Sequence, residues 1–215
     1  MQLPFTRSEF LDAFAAYNRA LWPAALILWL LTVGALWRVY RGSRRASQFL
    51  SGILALHWGW AGVAYHWAYF RAINPAAGLF GALFLVEAAV MLWLGVLRGR
   101  LTFQVRDAGW DRLAVAFVVF ALLYPVVGLV TGLAYPRLPS FGVPCPTTML
   151  TLGALLLGPR RGARLAAVVP LLWAGVGSSA AFALGIRADW VMLLAGGALL
   201  IYLLGVEPAT GPRAV

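Results

Sequence analysis

"AAGLFGALFLVEAAVMLWLGVL", residues 76–97, decides the fold of this chain. It is an unbroken apolar run with one ionisable side chain, Glu87. At about 1.5 Å per residue, a helix of this length crosses the roughly 30 Å hydrocarbon core of a bilayer. Six more apolar runs share the pattern, at 21–37, 48–70, 113–134, 147–158, 165–185 and 190–206. The expectation is an all-α, polytopic membrane protein with seven transmembrane helices.

Composition agrees. The chain is 62% apolar and 11% charged, where soluble domains carry about a quarter charged residues. Its mean hydropathy is +0.84. All 17 basic residues are arginines, which excludes chemistry built on a lysine Schiff base: no retinal and no pyridoxal phosphate. The arginines lie in short clusters between apolar runs, a membrane-topology pattern rather than a nucleic-acid surface. One cysteine cannot close an intramolecular disulfide.

The arginine clusters also set an orientation. Arg38, Arg41, Arg44, Arg45, Arg98, Arg100, Arg106, Arg112, Arg160, Arg161, Arg164 and Arg213 fall on one side, 12 of the 17. Arg7, Arg19, Arg71, Arg137 and Arg187 fall on the other. The positive-inside rule then predicts an outer amino terminus and a cytoplasmic carboxyl terminus. Residues 1–20 read as an amphipathic interfacial helix, opened by the capping box Thr6–Glu9 in "TRSE". Residues 21–206 form the membrane domain, and 207–215 a cytoplasmic tail. Pro125 and Pro170 predict kinks inside the fourth and sixth runs.

Runs two to seven read as three hairpins. Each second helix carries a similar core: "GALFL" at 81–85, "GALLL" at 153–157 and "GALLI" at 197–201. The middle hairpin has extra residues before its glycine, and they map onto "SFGVPCPTTML" at 140–150. There a run of only 12 residues, 147–158, is too short to cross, so its amino terminus should begin inside the membrane. Pro146 suits the first helical position, with Cys145 at the cap.

Polar side chains at membrane depth are costly and mark functional candidates. Cys145, His57, His66 and Glu87 are the candidate ligands for a soft or borderline metal ion. His57 and His66 are nine residues apart, face opposite sides, and cannot share one ion. His57 and Glu87 have matching depths and are expected to pair near the midplane. Thr147, Thr148, Asn74, Ser178 and Ser179 are candidate pathway residues. Asn74–Pro75 reads as a turn followed by a helix start.

"PFT", "YN" with "WP" shortly after, "INPAAGLFGALF" and "FGVPCPTT" together resemble a family of small bacterial multi-pass membrane proteins of unknown function. The resemblance runs from about residue 4 to residue 200. It implies a bacterial inner-membrane location and carries over no activity or site residues. The leading expectation is a small helical transporter or permeation protein for a metal ion or small solute. Its rivals are a membrane enzyme with Cys145 as nucleophile or metal ligand and His57 as base, and an accessory subunit. The expected partners are the lipid bilayer and a second copy or another membrane subunit, not nucleic acid.

Overall fold

The computed structural model describes residues 3–43, 45–106 and 109–205. Arg44, Arg213 and the expected tail 207–215 lie outside the described residues. Among those described there are nine α-helices and no strand: α1 Arg7–Tyr40, α2 Ala46–Trp60, α3 Ala77–Met91, α4 Gly109–Leu122, α5 Tyr124–Val130, α6 Pro144–Leu156, α7 Arg160–Ala166, α8 Val168–Leu184 and α9 Trp190–Leu203. α2 and α3 continue as π-helical turns, Ala61–Trp67 and Leu92–Leu97.

Two helices are long and apolar enough to cross a membrane, Arg7–Tyr40 and Ala77–Leu97. The number rises to four if each of two bent pairs is one span. The fourth run breaks between α4 and α5 with a 69° bend, and the sixth between α7 and α8 with a 56° bend. Each break precedes an expected kink proline by two or three residues. Pro125 and Pro170 have no N–H to return to the carbonyls of Ala121 and Ala166, and their rings crowd those turns.

α1 is one helix through residue 20 and through Pro23, so the expected interfacial segment is not a separate element. The capping box is present, with Thr6 N–H donating to Glu9 Oε2 at 2.7 Å and Glu9 N–H to Thr6 Oγ1 at 3.3 Å. At 34 residues α1 is about 50 Å long, well beyond a bilayer core. Its first half is not free on a surface: Leu11, Phe14, Tyr17 and Asn18 are buried against the rest of the chain.

The three expected hairpins are packed pairs: α2 on α3, α4 on α6, and α8 on α9. α6 is the central helix, with all 13 residues buried, packed against α2, α4, α8 and α9. It starts two residues earlier than the sequence suggested. Val143 is the extended N-cap, and Thr147 N–H makes the first return bond, to Val143 O at 3.3 Å. Pro144 and Pro146 thus occupy first-turn positions, where an N–H would have no helical partner. Gly153 allows α4 to pack closely, since a Cβ there would stand 2.9 Å from Val118 Cγ2 and 3.0 Å from Ala114 O. Gly197, its counterpart in the sequence repeat, has nothing within 4 Å; the close contact falls instead at Gly196, 2.9 Å from Ala174 Cβ.

The connection between α5 and α6 is tied to α1. The Asn18 amide donates to Pro136 O and Leu138 O, both at 2.7 Å, and Ser140 Oγ donates to Asn18 Oδ1 at 2.5 Å. Tyr17 OH donates to Phe141 O at 3.0 Å and accepts from Trp60 Nε1 at 2.7 Å. Arg137 pairs with Asp12 at 2.5 Å. Large apolar side chains, including Trp22, Ile27, Leu30, Leu79, Leu97, Leu194 and Leu204, face outward. A surface of that kind suits lipid better than water.

Candidate functional site: an aromatic cavity at the start of α6

The clamp on the α5–α6 connection fixes where α6 begins, and a cavity of about 310 Å³ opens there. Its walls are mainly aromatic: Phe5, Phe10 and Phe14 from the amino-terminal end, Tyr65 and Phe70 from the end of the α2 hairpin arm, Phe80 from α3, and Trp173 from α8. The π-helical turn carries Tyr65 and His66 to it. Ala68 N–H returns to Val63 O, five residues back, which widens the helix locally; Tyr65 and His66 are both buried although adjacent in sequence. π-turns of this kind are frequent at functional sites.

Polar groups reach this apolar chamber without matching partners. Cys145 Sγ donates to Asp189 Oδ2 at 3.4 Å. Ser178 Oγ donates to Asp189 O at 3.5 Å. Among the described residues, Asp189 Oδ1, Tyr65 OH and both ring nitrogens of His66 have no hydrogen-bond partner. The His66 ring is boxed by Phe84 at 4.7 Å, Trp173 at 5.1 Å, Phe70 at 5.8 Å and Phe80 at 5.9 Å between centroids. Asp189 lies in the turn between α8 and α9, 4% exposed, and burial pushes its carboxyl up to about 8. A buried polar group left unpaired carries a desolvation cost of about 1–3 kcal/mol, so these groups are not neutral filler.

Of the residues singled out in the sequence, the cavity gathers His66, Asn74, Cys145 and Ser179. Asn74 Oδ1 accepts from Ala76 N–H at 3.0 Å, forming the expected turn before α3. Ser178 bonds Asp189 rather than lining the wall. Thr147 and Thr148 are buried in α6, each with an unpartnered Oγ1 among the described residues.

His57 and Glu87 stand apart. Of the expected direct or water-mediated contact, the direct hydrogen bond is absent among the described residues. His57 Nε2 lies 2.8 Å from Thr32 Oγ1, and the Thr32 hydroxyl spends its only hydrogen on Leu28 O at 2.7 Å. Nδ1 has no partner among the described residues. Glu87 is fully buried, and neither of its oxygens has a partner among the described residues. It occupies the same face of α3 as Phe84 and Met91, while His57 looks toward α1 and Phe141. His57 does not line the cavity that holds Cys145. Among the described residues no three His, Cys, Asp or Glu side chains are placed to hold a metal ion, so Cys145, His57, His66 and Glu87 form no joint metal centre.

Asp189 is the residue that sequence reasoning missed. Its signal was present: the chain has only seven acidic residues, and "RADW" at 187–190 places one at the mouth of an apolar run.

Among the described residues the protein is all-helical, with two to four stretches long and apolar enough to cross a membrane and a cavity lined largely by apolar and aromatic side chains. The chain belongs to a family whose model matches residues 7–210 and is described as "Family of unknown function (DUF6064)". No curated protein and no solved structure matches it.

Proposed function

We propose that this chain is a multi-pass membrane protein of a bacterial inner membrane that binds a small organic solute in the aromatic cavity and carries it across. The observation that carries the reading is the cavity itself: an apolar chamber whose lining residues include Tyr65, His66 and Asp189, each with a buried polar atom that has no partner among the described residues. Its volume falls in the range of small-molecule sites, which are typically apolar with a few convergent polar groups. The two bent helix pairs and a short, wholly buried α6 fit the broken-helix pattern of transporters. An organic solute suits the site better than a metal ion, because no three ligating side chains converge among the described residues.

In this reading all seven apolar runs are membrane-embedded, with the amino terminus outside, as the arginine asymmetry favours. Uptake of a panel of labelled small solutes into proteoliposomes tests the function. Ala180→Trp, which fills the cavity from α8, should abolish uptake of any accepted solute. Equal uptake by the filled variant, or none above empty liposomes for the whole panel, sinks the reading.

A further inference from the structure

The cavity's wall chemistry selects among solutes. Among the described residues its only acidic lining residue is Asp189, whose Oδ1 has no partner there and whose Oδ2 meets a thiol. Among the described residues no arginine lines the chamber. Arg187, two residues away, is exposed and lines a separate polar hollow with Arg7. The same cavity is lined by seven aromatic rings, from Phe5, Phe10, Phe14, Tyr65, Phe70, Phe80 and Trp173.

A carboxylate buried without a cation is expensive, and the protein supplies none here. Aromatic faces carry negative quadrupole potential and attract an ammonium group strongly once it is desolvated. A chamber combining one uncompensated carboxyl with many aromatic faces, and no internal cation, is complementary to a positive guest. A hydrated metal ion would want more oxygen or nitrogen ligands than converge here. An alkylated ammonium keeps its charge, sheds water easily and fills apolar space.

We infer that the cavity binds a small organic cation of the alkylammonium type, with Asp189 as its counter-ion and the aromatic wall as its cage. The inference rests on the proposed reading of the cavity as the solute site. Leu3, Pro4 and Phe5 line the cavity beside Phe10 and Phe14.

The test compares two probes of the same shape on the purified full-length chain: choline, and 3,3-dimethyl-1-butanol, in which carbon replaces the charged nitrogen. Titration calorimetry above pH 8, where Asp189 is ionised, should show choline binding at least tenfold tighter than the alcohol. Asp189→Asn should lose at least tenfold in choline affinity and leave the alcohol unchanged, while Asp189→Glu should recover part of the loss. If Asp189→Asn does not fold, the two-probe comparison on the unaltered chain decides alone. Equal binding of both probes, or tighter binding of the alcohol, overturns the cation inference and leaves the cavity standing as a solute site. Failure of both probes overturns the inference, and failure of the wider solute panel with them removes the reading beneath it.

Discussion

The Cys145 thiol, in the first turn of α6, donates to the Asp189 carboxyl in the α8–α9 turn, with Sγ to Oδ2 at 3.4 Å. This contact joins the central helix to the last hairpin at the wall of the aromatic cavity. It turns the chain's single cysteine into a reporter for that cavity.

A small neutral thiol reagent, methyl methanethiosulfonate, should therefore modify Cys145, and a bound organic cation should slow the modification at least fivefold. A bulky maleimide should react far less, because Cys145 is only 7% exposed. Intact-mass measurement follows both reactions. Labelling at the same rate with and without the cation would place the guest elsewhere.

Binding of a cation at Asp189 should depend on pH with a definite sign. Burial holds this carboxyl near 8, so it is largely protonated at neutral pH and must lose its proton to act as a counter-ion. Choline affinity should rise with pH, about tenfold per unit below 8, and level off above it. Cys145, Tyr65 and His66 are the other titratable groups lining the cavity. His66→Gln should keep the slope if Asp189 carries it; a slope abolished by that variant would reassign the proton to His66.

Two glycines of the sequence repeat should respond oppositely to the same change. Gly153→Ala pushes a methyl toward Val118 and the Ala114 carbonyl across the α4–α6 contact. Overpacking of this kind costs about 1–3 kcal/mol. Gly197→Ala meets nothing within 4 Å and should be neutral or slightly stabilising through helix propensity, by up to about 1 kcal/mol. Thermal unfolding in detergent reads both, and equal shifts would contradict the packing.

Asn18 should matter as much as a core residue. Asn18→Ala removes two donated bonds to the 136–138 backbone and the acceptor for Ser140. Leaving those buried groups unpaired should cost about 2 kcal/mol. Because the same connection leads directly into α6, probe affinity in the cavity should fall too. A variant of unchanged stability would show that the clamp is not needed.

Much of the architecture was legible in the order of residues. Apolar runs bounded by arginines gave the helices, the capping box gave the start of α1, and Pro125 and Pro170 marked the two bends. All of these are local: a missing N–H acts on the turn before it, and a cap acts within three residues. The resemblance to a family of unknown function was legible as well, in motifs spread from the amino terminus to α6, and the family match covers residues 7–210.

Sequence alone determined that the chain is helical, apolar and marked by a few buried polar groups. Which of those groups meet was decided only in three dimensions. His57 and Glu87 have matching depths, but depth says nothing of azimuth, and the packing of α1 turned His57 to Thr32. Cys145 found Asp189 from 44 positions away, a pairing set by how α6 sits among α2, α4, α8 and α9. α6 itself is too short to cross a membrane, yet it became the core because glycine at 153 lets α4 close on it. Local chemistry fixes a helix and its ends, whereas its rotation and neighbours follow from the packing of every other helix at once.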